Sequence, residues 1–515
     1  MCRLLSLAQI YTLFVNISFG LLRAMKAKII GSRFFKVGKI DDRIYGSFIE
    51  HLGRAVYGGI YEPEHPTADD CGFRGDVLEL VKKLNVPIVR YPGGNFVSGY
   101  NWEDGIGDKS KRPHRMDLAW SSLETNEVGI DEFQEWAKRA NTEVMMAVNL
   151  GTRGPDEARN CVEYCNATTD TYYANLRRAN GFDKPFGVKV WCLGNEMDGD
   201  WQIGTKTADE YGRIAHETAK VMKWVDPSIE LVACGSAGQN MPTFGDWELT
   251  VLKHTYDDID YLSLHCYYAN YDGNTPAFLA RAEEMDRFVK GAVAFCDAIK
   301  AKKHSKKTIN LSFDEWNVWT QDGSWENQKN PWQKGPHLLE QKYTFEDALL
   351  VGCMLMVLQN NCDRVKLACL AQLVNVIAPI FTENGGKAWA QTIFYPFMYG
   401  SNFGRGEVLD TRLESDGYEC EGYHIPYLMS SIIDNGSGEL VAFVVNRNLE
   451  QAIDLELSLE GYDNLSLIEH IELYSDDLKA ENTKDNAAVY PMNVAICEKI
   501  TLKKHSWNML RFSYK

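Results

Sequence analysis

From about residue 40 to 375 the chain repeats one unit eight times: a short β-branched or apolar run ending in polar residues, then a longer amphipathic stretch. The runs are 44–49, 86–91, 144–149, 188–193, 231–234, 261–265, 309–313 and 365–370. Between them, Val77, Leu80, Val81 and Leu84 fall at i, i+3, i+4 and i+7, and Ile130, Phe133, Trp136 and Ala137 at i, i+3, i+6 and i+7. Residues so spaced share one face of an α-helix. Eight strand–helix units over this length are what a (β/α)8 TIM barrel requires, whereas a doubly wound sheet closes with fewer. The expected fold is therefore α/β, with a barrel over residues 40–404.

Beyond about residue 405 the long helical patterns stop. The stretch from Ile453 to Glu460 alternates apolar and polar residues, as a half-buried strand must. Runs at 440–445, 465–473, 494–502 and 509–512 supply further strands between Gly, Asn and Asp turn signals. A C-terminal β-sandwich of jelly-roll type is expected over 405–515. An N-terminal strand within 25–39, built on the run 28–30, would complete it and place both ends in one domain. No internal repeat or low-complexity linker separates the two parts, so they should pack closely.

Residues 1–24 stand apart. The stretch 4–22 is mostly apolar behind Arg3, which imitates a signal peptide, but Gln9 and Asn16 interrupt it and no Ala-x-Ala site follows. Met25-Lys26-Ala27-Lys28 reads as an ordinary cytoplasmic start. A misassigned start, a cleaved signal and a membrane anchor are all open, and the segment is dispensable to the fold. The 13 cysteines are scattered, with no CxxC pair. Cys192, Cys234, Cys266 and Cys369 lie in or beside apolar runs, where a thiol is a small hydrophobe, and Cys161 and Cys165 lack a second pair for zinc. A reduced, cytoplasmic protein is expected, the alternative being a secreted or periplasmic one. With 54 Lys plus Arg against 71 Asp plus Glu, the net charge of −17 disfavours phosphate backbones, so no nucleic-acid partner is expected. No membrane partner is expected either.

In a barrel of this kind the chemistry lies where strands end, on the C-terminal face. The runs deliver Glu50-His51, then Arg90 to Asn95, Asn149, Gly194-Asn195-Glu196, His265-Cys266-Tyr267, Asp314-Glu315-Trp316, and finally Gln372 and Asn375. Glu196 and Glu315 follow the fourth and seventh strands and so can face each other across the mouth. Two facing carboxylates suit glycoside hydrolysis, in which one gives a proton to the leaving oxygen and the other attacks or stabilises the anomeric carbon. Trp191, Met197 and Trp201 near the first, and Trp316 and Trp319 near the second, supply an apolar, stacking environment. A glutamate after a strand can equally be a surface charge or a helix cap.

These residues carry a resemblance. Gly194-Asn195-Glu196 and Asp314-Glu315-Trp316 resemble the clan A glycoside hydrolases. Glu50-His51-Leu52-Gly53-Arg54, the segments from Val56 to Tyr61 and from Arg90 to Phe96, and the segment from Trp191 to Gly199 resemble the family 51 α-L-arabinofuranosidases. The resemblance runs from about Lys26 to the C-terminus and implies exo-acting, retaining release of terminal α-L-arabinofuranosyl residues from arabinan or arabinoxylan oligosaccharides. It implies Glu196 as acid/base and Glu315 as nucleophile. Asn195 would bond the sugar 2-hydroxyl, and Tyr267 would hold the nucleophile. Glu50, Asn95 and Gln372 would bind hydroxyls, and Trp120 and Trp319 would wall the pocket. Arg90 and His265 would support the two carboxyls, although Arg90 as a barrel-closing ion pair and His265 as a satisfied rim histidine stay open. It implies no metal or organic cofactor and a homo-oligomer, often hexameric.

Two other readings remain. A clan A endo-β-glucanase or xylanase would share the carboxylate pair, and a non-catalytic carbohydrate-binding barrel would share the aromatic rim. The Gly93-Gly94 pair reads as a tight turn, since no GxxxxGK follows. The loop carrying Trp319, Trp325 and Trp332 among Gly, Asn and Pro is expected to line or cover the site.

Overall fold

The computed structural model describes residues 25–321 and 326–515. Eight parallel strands close into a barrel: β1 (Gly46–Phe48), β2 (Ile88–Tyr91), β3 (Glu143–Val148), β4 (Val190–Leu193), β5 (Glu230–Cys234), β6 (Tyr261–Tyr268), β7 (Asn310–Val318) and β8 (Val365–Ala371). Each pairs with its neighbours in sequence, and β8 returns to β1 with Cys369, Leu370 and Ala371 opposite Gly46, Ser47 and Phe48. The strands are apolar on both faces because both are covered. Ile88, Met145, Ala147, Val190, Cys192, Val232, Leu367 and Cys369 fill the interior, while Val89, Tyr91, Val144, Met146, Trp191 and Leu231 pack outward in the cluster shared with the helices. The helix Gly75–Leu84 buries Val77, Val81 and Leu84, and Ile130–Ala140 buries Ile130, Phe133, Trp136 and Ala137. Both end on an asparagine in the left-handed region, Asn85 and Asn141, a usual helix stop.

The second layer system is a sandwich. Its seven-stranded sheet runs Lys36–Lys39, Glu407–Leu409, Leu428–Asp434, Glu439–Asn446, Ser506–Ser513, Ser466–Leu473, Met492–Asn493. Its four-stranded sheet runs Arg412–Glu414, Met25–Ser32, Ile453–Glu460, Ile500–Leu502. Ala27 and Ile29 enter its core beside Leu428, Leu440, Leu455 and Leu510. The helix Phe345–Asn360, buried almost throughout, joins the barrel to this sandwich. There Gly352 is required, because a Cβ would sit 2.5 Å from the Trp507 ring.

Several strand limits differ from expectation. Residues 42–45 form a 3-10 turn, so β1 begins at Gly46. The run 494–502 is a strand only at Ile500–Leu502, and Leu428–Asp434 is an additional strand. Most consequentially, β6 and β7 continue to Tyr268 and Val318, so His265 and Glu315 lie inside paired strands rather than after them. The ladder slips between Ser263 and His265, setting His265 opposite Glu315. Such a bulge re-aims side chains toward a site. The expectations for residues 1–24 lie outside the described residues. No helix among the described residues is long and apolar enough to cross a membrane.

Candidate active site

Arg90 is two residues after Ile88 on β2 and therefore points into the barrel, above the apolar layer. It is buried with its guanidinium 4.8 Å from the Phe48 ring centre. Nη1 donates to Glu315 Oε1 at 2.6 Å and Nη2 to Asn195 Oδ1 at 2.6 Å. The Tyr267 hydroxyl donates to the other Glu315 oxygen at 2.7 Å. Glu315 is thus gripped on both oxygens. Across the mouth, Glu196 follows β4 in the left-handed region, at φ 43°, with Gly194 at φ 87° before it. A non-glycine residue there is strained and is commonly held so at a functional site. His265 Nδ1 lies 2.8 Å from Glu196 Oε1, and the Trp201 indole N–H donates to Glu196 Oε2 at 2.7 Å. One oxygen of each glutamate and one His265 nitrogen lie within 4.8 Å of one another.

Beneath this trio sits Asp314, fully buried. It bonds Ser263 Oγ, lies 3.3 Å from His265 Nε2 and 3.8 Å from Arg90 Nε, and takes the Cys192 thiol at 3.7 Å. Burial alone would raise its carboxyl, yet Arg90 and His265 hold it below the ordinary range. Burial would lower His265, but Glu315, Asp314 and Glu196 together push it up to about 10. His265 is therefore an imidazolium at neutral pH. Its raised value contributes stability that is complete below about pH 6.5 and is lost as pH rises through about 10.

The neighbouring wall is built on Glu50. Its Oε1 accepts from the Phe96 amide at 2.8 Å and the Trp120 indole at 2.9 Å, and its backbone N–H donates to Gln372 Oε1 at 3.0 Å. Burial pushes Glu50 up to about 8 against those donors. Gly94 is needed because a Cβ would come within 2.7 Å of Glu50 Oε2. The glycine pair thus lets the chain approach a carboxyl. Tyr267 meets Trp319 edge-on, ring centres 5.1 Å apart. Glu50, Asn95, Trp120, Tyr267, Trp319 and Gln372 line, with both glutamates, a cavity of about 500 Å³, a size suited to a small ligand.

Every candidate site residue gathers at this one mouth, with Asn195, Arg90 and His265 behind the cavity wall. Three aromatic expectations are corrected. Trp191 and Trp316 are fully buried in the outer core, Trp191 donating to Val188 O at 3.1 Å. Trp332 is 38% exposed and is not among the lining residues; its amide donates to Ser121 O at 2.8 Å beside the Arg115–Glu124 hairpin. Trp325 lies outside the described residues. Trp332→Ala is accordingly expected to change KM less than about threefold, as for a partly exposed side chain off the site. Asp314 and Ser263 have no role in the sequence reading, although Asp314 directly precedes Glu315; Trp201, expected there only as part of the apolar, stacking environment near Glu196, also donates a hydrogen bond to it.

The Glu50 carboxyl gives a pH prediction. Raised to about 8 by burial, it is neutral at pH 7 and ionises above pH 8 in a cavity that already holds Glu315. KM should rise above pH 8 in the wild-type chain, and Glu50→Gln, which cannot ionise, should lose that rise. A KM profile from pH 6 to 9.5 decides it.

Two family models match, the Alpha-L-arabinofuranosidase 1 domain over residues 80–287 and the Alpha-L-arabinofuranosidase C-terminal domain over 314–509. The intracellular exo-alpha-(1->5)-L-arabinofuranosidase 1 of Bacillus subtilis is 56% identical over 94% of this chain and 99% of its own length. An exo-alpha-(1->6)-L-arabinofuranosidase of Bifidobacterium longum is 47% identical over 94% and 96%. The solved structure of a family 51 alpha-L-arabinofuranosidase from Bifidobacterium longum superposes with a TM-score of 0.91 at 44% identity, covering 95% of this chain and 99% of that one. With the facing carboxylates on a closed barrel, this extent of similarity identifies the chain: it belongs to the family 51 α-L-arabinofuranosidases.

Proposed function

We propose that the chain releases terminal non-reducing α-L-arabinofuranosyl residues by a retaining double displacement, with Glu196 as acid/base and Glu315 as nucleophile. The observation that carries this is the carboxyl pair, whose nearest oxygens lie within 4.8 Å. Retaining pairs are about 5–5.5 Å apart, whereas inverting pairs stand about 6.5–9.5 Å apart to admit a water. In the first step Glu315 attacks the anomeric carbon while Glu196 gives its proton to the leaving oxygen. In the second, Glu196 takes a proton from water as that water displaces Glu315. Arg90 and Tyr267 hold Glu315 in the attacking position. Asn195, whose Oδ1 is fixed by Arg90, is left with its amide N–H groups for the sugar 2-hydroxyl. Glu50, Asn95 and Gln372 bind the remaining hydroxyls between Trp120 and Trp319.

An exo-enzyme in the cytoplasm would finish arabinan or arabinoxylan oligosaccharides rather than attack intact polymer, in keeping with the word intracellular in the name of the Bacillus subtilis relative. Assembly into a homo-oligomer, hexameric as the resemblance implies, belongs to the same reading; light scattering that returned a single-chain mass would exclude it. The test of substrate class is direct. Hydrolysis of 4-nitrophenyl α-L-arabinofuranoside with no action on soluble β-glucan is expected, and the reverse would favour an endo-glucanase.

A further inference from the structure

Asn317 stands two residues past Glu315 on β7, opposite Tyr267, and shares the inward face of that strand. It is fully buried and is not among the residues that line the cavity. Its amide nitrogen donates twice, to Ala371 O at 2.7 Å and to Ile377 O at 2.6 Å, while its Oδ1 accepts from the Val318 amide at 2.8 Å. Both amide hydrogens therefore go to the loop that follows β8. That loop leaves β8 at Ala371, presents Gln372 to the cavity and reaches Ile377, which lines the cavity as well. Ile377 sits at φ 38°, and its amide donates at 2.9 Å to the carbonyl of Leu339, itself at φ 51° in the same wall. A β-branched residue in the left-handed region persists only where its surroundings fix it.

The fixing groups are few. The Ile377 carbonyl takes the Asn317 amide and also the Gln372 N–H, the latter at 3.1 Å. On the far side of Gln372, the Leu373 amide donates to Phe48 O at 2.9 Å. The backbone of Gln372 is thus gripped from β1 and, through Asn317, from β7. Its side chain has one orientation to keep: Oε1 accepts from the Glu50 amide at 3.0 Å and Nε2 stands 3.4 Å from Glu50 Oε2. That leaves an N–H of Nε2 for a sugar hydroxyl. We propose that Asn317 is a positioning residue for substrate binding: from the strand that carries the nucleophile it fixes the 372–377 loop, so that the Gln372 amide and the Ile377 side chain stand in register with Glu315. This rests on the reading of Gln372 as a hydroxyl-binding residue.

A double-mutant cycle on the full chain, with 4-nitrophenyl α-L-arabinofuranoside as substrate, tests it. Asn317→Ala should lower kcat/KM on the order of tenfold, the scale of a lost neutral hydrogen bond. Gln372→Ala should cost about the same. Asn317→Ala added to Gln372→Ala should then cost less than about threefold more, because the group being positioned is gone. A second full tenfold loss in that background would overturn the proposal, since Asn317 would then act through Glu315 or through the fold at large. An Asn317→Ala chain with wild-type kcat/KM would overturn it too. Thermal unfolding of the four chains reads stability separately: a residue with a structural role alone lowers Tm and shows no coupling to Gln372 in kcat/KM. Asn317→Asp keeps the side-chain shape, offers at most one hydrogen to the two carbonyls, and closes the same cycle should the alanine variant not fold. Failure of the underlying reading shows in one variant, as a Gln372→Ala chain with wild-type kcat/KM, and takes the proposal with it.

Discussion

Glu315→Ala should lower turnover on an aryl arabinofuranoside by on the order of 10⁴-fold or more, the scale seen when a covalent nucleophile is removed. The side chain deleted is the one that Arg90 and Tyr267 hold from both sides, at 2.6 and 2.7 Å. The space it leaves is lined by a cationic and a hydroxyl donor, which suits a small anion. External azide should therefore restore turnover. Because azide attacks from the face that Glu315 occupied and no second displacement follows, the product should be the inverted β-L-arabinofuranosyl azide. Recovery of activity also shows that the variant is folded. Rescue with retained configuration would assign the nucleophile elsewhere, and near wild-type activity without azide would remove Glu315 from the mechanism.

Arg90→Leu should cost about 3–5 kcal/mol of stability as well as activity, because deleting one member of a buried ion cluster leaves its partners uncompensated. Arg90 is the fixed cation beside two buried carboxyls, Asp314 and Glu315. Its effect is pH-dependent with a definite sign. Asp314 is depressed in the fold, so its contribution is present above its ordinary value of 3.8 and is lost as pH falls through the depressed value. The stability gap between wild type and Arg90→Leu should therefore be widest near pH 7 and narrow in acid. Arg90→Lys should rescue little, since a single ammonium cannot serve Glu315 and Asn195 with two forked donors. Denaturant unfolding at pH 7 and at about pH 2.5, below the ordinary carboxyl value, measures this. An Arg90→Leu chain as stable as wild type would reduce Arg90 to a surface-like charge.

The repeat of apolar runs made the barrel legible because both faces of each strand are buried, so the runs stay continuous. The same rule hid the ends of β6 and β7. His265, Asp314 and Glu315 interrupt the apolar pattern while their backbones remain in the ladder, so in sequence their polarity looks like the end of the strand. The two glutamates were legible because polar residues after apolar runs are few and fall at one rim. The roles of tryptophans were not. Trp191 and Trp201 both flank Glu196 in sequence, but one packs outward under helices and the other stands at the mouth, a choice set by strand alternation and by the turn at Gly199. Asp314 escaped notice because its work is done on His265 and Arg90, from strands β6 and β2, which no local spacing reveals.

Retention of configuration follows from the Glu196–Glu315 pair, and the stereochemistry of the first product measures it most directly. Hydrolysis of an aryl α-L-arabinofuranoside in aqueous methanol, followed by proton NMR, catches the sugar as a methyl furanoside that cannot mutarotate. The wild-type chain should yield methyl α-L-arabinofuranoside. Methyl β-L-arabinofuranoside as the first product would contradict double displacement and the carboxyl spacing on which it rests.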